Sequence, residues 1–495
     1  MRPNMKKIFF LTAVFVFGSV AGSAQNALKS GYFMDNYNYR HQMNPAFAST
    51  RSYFSIPTIG NLNIGTQSNL GISTFLYPVN GQLTTFMNKS VSTEEFLGNI
   101  KNNNRFQLGM SIPVFTVGAW GKLGGFTTVE LNVKLNAGIN LPYGLFNFMK
   151  NAASQQHHEI SGLSLRGTGY LELAIGHAHK ITDNLNIGAK VKFLAGAANA
   201  NANIDKMVVD LREEQWSINA SGSAKYLVPA LNIPTKGESG SAENISDRDL
   251  LDFDNISFDS DDIVKSIFSG IGYGLAFDLG ATYSFNSGIL EGLNLSAAVL
   301  DLGFISWGKM NTAVTDSDPW IFDGFEDLSL ESGQDNSLSS QMENLKEDFS
   351  GLIRLKKAGK EKGGADMLAC TFNVGAEYEM PFYRKLSVGI LSTTRIYGKH
   401  SSSEGHFAVN IEPAEWFGFS TNYGISTFGS SWGALLNFSF PGFGLFLGTD
   451  CIPMHFTPAI ADLGIGVPYK KMNLNFNFGL NFNLSRTRHL GNRTR

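Results

Sequence analysis

The sequence has little of what stabilises an ordinary soluble enzyme or a disulfide-linked domain. Only two cysteines, Cys370 and Cys451, occur among 495 residues, which is too few for a disulfide framework. Charged residues make up 16% of the chain, against roughly 25% in ordinary soluble proteins. The formal charge of -3 gives no general attraction to nucleic acid, so no nucleic-acid partner is expected.

Long apolar runs are missing beyond the N-terminus. No stretch reaches the roughly 18 residues that a membrane helix requires, which excludes a helical membrane protein from the expectations. Glycine and phenylalanine are abundant instead, with 53 and 39 residues. A chain that is rich in Gly and Phe, poor in charge and without long apolar runs is typical of a transmembrane β-barrel.

The N-terminus predicts export. Two lysines precede an apolar stretch from Ile8 to Val20, and a short run of small residues ends at Ala24. This is the pattern of a secretory signal peptide, predicted at 1–24 with cleavage after Ala24. A membrane anchor is the alternative, but the apolar stretch is short for one. We therefore expect an exported protein in the outer membrane of a Gram-negative cell, with outer-membrane lipid as a partner.

The dominant hydrophobic period is two residues. From 472 to 484, apolar side chains alternate with asparagines almost without interruption. Successive side chains of a strand point to opposite faces, so such strands have one apolar face and one face of amides. A row of amides does not suit a dry core but suits a wet lumen. The alternative, a soluble β-sandwich or propeller, would bury the apolar rows together.

Fourteen segments have the strand pattern, and the gaps between them alternate in length. Most odd-numbered gaps are long and the even-numbered gaps are short, as expected for external loops and periplasmic turns of a barrel. The fold class predicted is all-β, a closed antiparallel transmembrane β-barrel of about 14 strands over 60–484. The predicted strands are 60–70, 105–120, 128–141, 163–175, 185–194, 272–285, 292–301, 370–379, 385–396, 405–411, 415–424, 431–440, 443–450 and 471–484.

Two external loops are predicted to be long, at 195–271 and 302–369. The second contains apolar residues near helical spacing, which predicts a helix from Ser337 to Lys357. Loops of this length are usually functional or disordered. Beyond the last strand, residues 485–495 carry four arginines and are predicted to form a solvated basic tail in the periplasm.

The segment 25–59 precedes the first predicted strand and is rich in Tyr, Phe and Asn. Its aromatic content does not suit free solution, whereas a polar lumen could accept its hydroxyls and amides. We therefore predict an N-terminal plug, with an ordered periplasmic turn as the alternative. It contains Asn44, Pro45 and Ala46. This Asn-Pro-Ala, placed shortly before a long barrel, resembles the motif in the N-terminal hatch of long-chain fatty acid and aromatic-hydrocarbon transporters of the outer membrane. The chain resembles an uncharacterised relative of that group, which implies a hatch inside a barrel of fourteen strands.

The last predicted strand has a second signature. Its residues Asn477, Gly479, Leu480, Phe482 and Leu484 resemble the polar-x-Gly-apolar signal that the barrel-assembly machinery reads. That machinery is therefore an expected partner during insertion, through main-chain pairing with an edge strand. The chain departs from the usual pattern because it continues past this strand.

Charged residues inside the predicted strands are assigned to the lumen by parity. If the apolar rows of the fourth and fifth strands face lipid, then Glu172, Lys190 and Lys192 face the lumen, with Glu172 opposite Lys192. A structural ion pair is one reading of these residues, and a role in transport is the other.

These observations predict a passive channel for small hydrophobic or amphipathic molecules, gated by the N-terminal hatch, with a hydrophobic small molecule as ligand. The alternative is a surface or secretion-associated barrel that does not transport and binds protein or glycan through its long loops. No catalytic residue, metal site or cofactor is predicted, and the chain is not expected to be an enzyme.

Overall fold

The structure, a computed structural model, describes residues 27–79, 82–122, 124–152, 154–212, 216–242, 244–259, 271–316, 320–322, 354–452, 456–457, 467–468, 471 and 473–485. The predicted signal peptide, the first part of the predicted helix Ser337–Lys357 and the tail beyond Ser485 lie outside the described residues.

Fourteen antiparallel strands form a closed barrel in the described part of the chain. Each strand pairs with the next along the chain, and the last pairs with the first, which confirms the predicted fold class. The strands are β1 (Tyr53–Ser55 and Leu62–Ser68), β2 (Asn103–Trp120), β3 (Phe126–Pro142), β4 (Leu163–Lys180), β5 (Leu185–Leu211), β6 (Gly272–Ser284), β7 (Leu293–Thr315), β8 (Cys370–Met380), β9 (Tyr383–Ile396), β10 (Ser402–Ala414), β11 (Phe417–Ser426), β12 (Gly429–Phe440), β13 (Phe443–Thr449) and β14 (Leu474–Asn483).

The barrel begins earlier than expected. Both segments of β1 pair with β14 on one side and β2 on the other, so the wall starts at Tyr53 rather than at residue 60. The end of the predicted plug, 25–59, therefore includes part of the wall. Only 27–52 among the described residues precede it, and we call these residues the N-terminal segment.

The two faces of the wall differ as the alternation predicts. Apolar side chains on the outer face are exposed, for example Phe193, Val374 and Ile390 at 50%, 59% and 62%. Polar side chains at the intervening positions are buried, for example Lys192, Asn373 and Thr393. Because alternate strand residues point to opposite faces, the apolar rows face outward and the polar rows face the lumen. A closed ring with an apolar exterior is the form in which strands cross a lipid bilayer.

Two strands are much longer than predicted. β5 has 27 residues and β7 has 23, and both continue past the barrel into the regions assigned to external loops. Four further strand segments pair with these extensions or with each other. They are His157–Ile160, Trp216–Leu227, Trp320–Phe322 and Leu355–Met367. The prediction of loops over all of 195–271 and 302–369 is therefore wrong, and so is the C-terminal end of the helix Ser337–Lys357.

The remaining elements are short. The helices are α1 (Ile72–Phe75), α2 (Thr93–Leu97), α3 (Tyr143–Asn151) and α4 (Lys236–Ser239), with 3-10 turns at Lys29–Gly31, Arg40–Gln42 and Ile245–Asp247. Two-residue or four-residue strands pair as Leu76–Val79 with Gln82–Thr85, Leu231–Asn232 with Ser257–Phe258, and Phe456–Thr457 with Val467–Pro468. No helix in the described part of the chain is long and apolar enough to span a membrane. Buried aromatics, including Phe96 and Phe146, pack α2 and α3 together beyond the ends of β2 and β3.

Candidate functional site

The N-terminal segment packs against the inner face of the wall. Its aromatic side chains Tyr32, Tyr37 and Tyr39 are buried together with the wall residues Leu435 and Phe446. Tyr37 meets Phe446 edge to face, with ring centroids 5.0 Å apart. Aromatic pairs in this geometry stabilise by about 0.5–1.5 kcal/mol beyond the area they bury. The lumen therefore contains an apolar cluster built around the N-terminal segment.

The Asn-Pro-Ala motif lies on a part of the wall that has no side chains. Gly188 of β5 and Gly280 of β6 are partners in the ladder. A Cβ atom on Gly188 would lie 2.1 Å from the Pro45 carbonyl oxygen, and one on Gly280 would lie 2.0 Å from Asn44 Oδ1. The amide of Asn44 also donates to the carbonyl oxygens of Ala281 and Ala297, both at 3.3 Å. The motif thus docks on main chain, which only glycine at both positions allows.

Other wall strands contact the N-terminal segment in the same way. At each of five more glycines, an added Cβ would come within 3.0 Å of a side chain of the segment. They are Gly375 (Tyr32), Gly389 (Phe33), Gly418 (Met34), Gly433 (Ser30) and Gly448 (Leu28).

Two wall carboxylates bind main-chain N–H groups of the segment. Asp450 accepts from the backbone nitrogens of Lys29 and Ser30 at 2.7 and 2.8 Å and from the Ser30 hydroxyl at 2.6 Å. Glu412 accepts from the backbone nitrogens of Asp35 and Asn36, both at 3.0 Å. Hydrogen bonds to charged acceptors contribute about 1.5–3 kcal/mol each. These hydrogen bonds hold two turns of the segment, at 29–30 and 35–36, that do not pair with a β-strand.

A buried ion cluster joins the segment to β3 and β5. Lys190 donates to Glu130, and its Nζ lies 2.9 Å from His41 Nδ1. Gln42 Nε2 donates to Glu130 Oε2 at 2.7 Å. Lys190 is therefore a wall residue whose partners include His41 of the N-terminal segment.

The second cluster lies on the wall alone. Lys134 donates to Glu172 at 2.8 Å, and Lys192 lies 2.8 Å from Asp278 and 2.6 Å from Asp301. Glu172 lies opposite Leu194 in the ladder, and Lys192 lies opposite Ala174. The predicted cross-strand pair is thus shifted by two residues, and the Glu172–Lys192 distance is 3.9 Å.

The shift has an identifiable cause. The ladder between β4 and β5 ends at Lys180 and Asn186, which centres the turn at residue 183 rather than at 182, as the predicted pair would require; the irregularity at Gly169 and Tyr170 lies beyond Glu172 and does not affect this pair. A turn centred one residue later than assumed moves every pair by two. Asp301, the closest carboxylate to Lys192, has a left-handed backbone with φ 57° beside a second irregularity, between β6 and β7.

A cavity of about 90 Å³ lies between these clusters and the outer end of the barrel. Gln42 and Met43 of the N-terminal segment form part of its lining. Ile305, Trp307 and Leu368 form an apolar part of its lining, and the charged residues described above form a polar part. The cavity has room for a few water molecules or one small solute group.

The residues of the barrel-assembly signature lie in or next to β14. Phe482 and Leu484 are 46% and 65% exposed on the outer face. Asn477 is fully buried, and a Cβ on Gly479 would lie 2.1 Å from the Phe446 ring. Leu480 pairs with Leu445 of β13. Because β14 pairs on both sides, its main chain is fully used in the closed barrel.

Two strand segments match short enzyme motifs by spacing. Gly429-x-Ser431-x-Gly433 has the spacing of a nucleophile turn, and Gly303 to Lys309 has that of a phosphate loop without the final Ser or Thr. Both lie within barrel strands, β12 and β7. The first motif acts at a strand-to-helix turn and the second at a helix N-terminus, so neither segment has the required geometry.

The sequence pattern did not identify several residues of the site. Glu130 and Lys134 lie on a predicted strand at the parity of the lumen, so the argument used for Glu172 could have found them. Asp278 was likewise inside a predicted strand. Asp450 and Glu412 lie at or just past strand ends, where period-two parity carries no information.

Comparison with known proteins gives one family and several similar folds. A family of unknown function (DUF5723) matches residues 45–450. No curated protein matches the chain. The chain is similar to the toluene transporter TbuX of Ralstonia pickettii, with 9% identity, a TM-score of 0.36 and coverage of 92% of this chain and 95% of that chain. It is similar to the toluene transporter TodX of Pseudomonas putida, with 10% identity, a TM-score of 0.36 and coverage of 90% and 93%. For the CymD monoaromatic hydrocarbon channel the values are 8%, 0.31, 85% and 98%.

The family match includes the Pro45-Ala46 end of the motif and the wall that receives it, and it spans well over half of the sequence. The expectation of an uncharacterised family of barrels is confirmed, because the chain belongs to the family of unknown function DUF5723.

Proposed function

We propose that the protein is an outer-membrane channel for small hydrophobic or amphipathic molecules, and that the N-terminal segment is its hatch. The observation that carries the proposal is the docking of Asn44 and Pro45 on the bare main chain of Gly188 and Gly280. A barrel wall on which no segment docks would not require glycine at either of these two positions.

The hatch closes the lumen in this conformation. The cavity beside it is about 90 Å³, and the rest of the segment is packed against the wall. A solute therefore passes only when part of the segment moves. The contacts that hold it are mostly hydrogen bonds and side chains on glycines rather than a strand ladder, so they can break without opening the barrel.

The cavity supports the solute class. Its apolar wall around Trp307 and Leu368 suits a hydrocarbon group, and its polar wall around Lys192 and Asp301 suits a polar group. Binding sites for small molecules commonly combine an apolar lining with a few polar groups.

The test is uptake by proteoliposomes. Full-length protein and a variant lacking 27–52 are reconstituted, and entry of a fluorescent hydrophobic solute, a fluorescent amphipathic solute and a charged hydrophilic dye is followed. We expect selective entry through the full-length protein and faster, unselective entry through the deletion variant. Equal entry in protein-free vesicles and in both preparations would contradict the channel.

A second candidate function is supported by the external extensions. β5 and β7 continue beyond the barrel and carry the strand Trp216–Leu227 between them, which makes a sheet outside the lumen. Such a sheet suits a non-transporting barrel that binds protein or glycan. It is favoured if the deletion variant remains impermeable while an isolated cell-surface glycan or protein binds the full-length chain.

Export and insertion complete the proposal. The signal peptide 1–24, the Gram-negative outer membrane and recognition of β14 by the barrel-assembly machinery are part of it. Phe482 and Leu484, both exposed on the outer face, are the side chains we expect that machinery to contact before the barrel closes.

A further inference from the structure

The connection between β9 and β10 turns inward across the lumen. Gln107 donates to the His400 carbonyl oxygen at 2.7 Å, and Arg105 donates to the Ser401 carbonyl oxygen. A Cβ on Gly138 would lie 2.8 Å from His400 Nδ1, so β3 leaves space for the imidazole. The connection is therefore fixed against β2 and β3 rather than extended into solvent.

Four cations meet at this connection. They are Arg105, Arg166, Arg395 and Lys399, and we call them the mouth cluster. The three guanidinium groups donate to neutral acceptors, which are the carbonyl oxygens of Ser401 and Met367 and the amide oxygen of Asn136. No carboxylate of the described residues lies within salt-bridge distance of any of the four.

The contrast with the deeper lumen is clear. Lys134, Lys190 and Lys192 each have a carboxylate partner. The acidic residues on the cavity wall nearest to the cluster are bonded elsewhere, Asp301 to Lys192 and Asp366 to the amides of Asn199 and Asn201. Of the four cations Arg395 is buried, Arg105 and Arg166 are half-buried and Lys399 is exposed, so the cost of charge without a partner is largest at Arg395.

Buried nitrogen atoms without partners lie in the same place. In the described structure, Arg105 Nε, Arg166 Nε and His400 Nδ1 make no hydrogen bond. His400 is 5% exposed. Burial and the neighbouring cations Arg166, Arg105, Arg395 and Lys399 lower the pKa of His400 to about 4, so the ring adds no charge at neutral pH.

One aromatic ring holds two of the guanidinium groups. Arg166 lies over Tyr397 with its Cζ 3.9 Å from the ring centroid, and Arg395 lies 5.2 Å from it. Guanidinium groups form paired hydrogen bonds with carboxylates and phosphates because their planar donors match two acceptor oxygens. Arg395 and Tyr397 also line the lumen cavity.

We propose that the mouth cluster binds an oxyanion, the carboxylate or phosphate group of a small solute that reaches it through the lumen. The anion satisfies the unpartnered donors and neutralises the excess positive charge. The apolar wall around Trp307 then takes the rest of a solute that has an apolar part. The inference that the transported solute carries an acidic group rests on the proposed channel function. The inference that the mouth cluster binds an anion does not rest on it.

The test is calorimetric titration of the purified full-length protein in a neutral detergent, with inorganic phosphate and with benzoate as probes. We expect saturable binding of at least one anion. The double variant Arg166→Gln/Arg395→Gln should weaken it by about tenfold or more, because at least one charge-assisted bond is lost. Arg384→Gln is the matched control, since Arg384 pairs with Glu291 at the opposite ends of the strands and its side chain is 32% exposed.

The outcomes separate the sources of the anion and the two proposals. Binding of phosphate alone indicates a phosphate-bearing solute, and binding of benzoate alone indicates a carboxylate. No saturable binding of either, or unchanged binding by the folded double variant, overturns the site. If the double variant does not fold, the single variant Arg395→Lys is used, which keeps the positive charge and removes the planar guanidinium group. It should bind the anion more weakly than the wild type, and unchanged affinity overturns the site. Binding without any uptake in proteoliposomes rejects the channel and leaves the site standing.

Discussion

Substituting Gly280 by alanine should release the hatch. The new Cβ would lie 2.0 Å from Asn44 Oδ1 and 2.8 Å from Pro45 Cδ, so the motif has to leave its seat. The displacement also breaks the two hydrogen bonds from Asn44 to Ala281 and Ala297. Overpacking costs about 1–3 kcal/mol and each of the two neutral hydrogen bonds about 0.5–1.5 kcal/mol, together on the order of 2–6 kcal/mol. At about 1.4 kcal/mol for each tenfold change, the ratio of open to closed hatch rises roughly 30- to 20,000-fold.

The assay is single-channel conductance in planar bilayers. Gly405→Ala is the matched control, because Gly405 also lies in a barrel strand and a Cβ there meets nothing within 4 Å. We expect long-lived openings in Gly280→Ala and wild-type behaviour in Gly405→Ala. Asn44→Gly in the Gly280→Ala background removes the closest clash and should partly restore closure. A folded Gly280→Ala barrel with the wild-type open fraction would refute the docking of the motif as the lock of the hatch.

Three further perturbations follow from the contacts of the lumen. Glu412→Gln replaces one of the two carboxylate oxygens that accept from backbone N–H groups and should expose the N-terminal segment to protease, whereas Glu94→Gln, at an exposed position of α2, should not. Equal cleavage of the two variants would contradict the role of Glu412. Lys192→Met removes the cation from the buried Asp278 and the half-buried Asp301 and should destabilise the barrel by about 3–5 kcal/mol in urea unfolding, against about 0–1 kcal/mol for the exposed Lys206→Met. The pKa of His400 is lowered to about 4, so the contribution of its neutral ring to stability is complete above about pH 6.5 and is lost as the pH falls toward 4. His400→Gln should therefore lose less stability than the wild type between about pH 6.5 and about pH 4. Parallel curves of unfolding free energy against pH for the two proteins would contradict the assignment.

The barrel could be predicted because one physical contrast repeats in every strand. Lipid outside and polar groups inside force a period of two, and from 472 to 484 the alternation of apolar residues with Asn marks β14 almost to the residue. The contrast ends where the strands leave the membrane. Beyond Leu194, β5 continues through alternating Ala and Asn, in which neither face is apolar enough to reveal a strand. The same sequence is therefore read as a loop.

The contacts of the N-terminal segment could not be predicted, because they join residues that are distant along the chain. Lys29 and Asp450 are 421 positions apart, and nothing in either local sequence indicates the other. The aromatic composition of the segment predicted burial but not the partners. The abundance of glycine predicts a barrel, but it does not indicate that Gly188 and Gly280 make room for main chain. Close approach of two backbones has no signal in a single sequence other than glycine itself.

The most direct measurement is hydrogen–deuterium exchange of the full-length protein in lipid nanodiscs, followed residue range by residue range. The central claim is that residues 27–52 are folded inside the closed barrel, where almost all of them are buried. We predict that the amides of Ser30 and Asn36, bonded to Asp450 and Glu412, exchange far more slowly than those of an unstructured chain. Exchange of 27–52 at the rate of a free peptide, with the barrel strands protected, would contradict the claim.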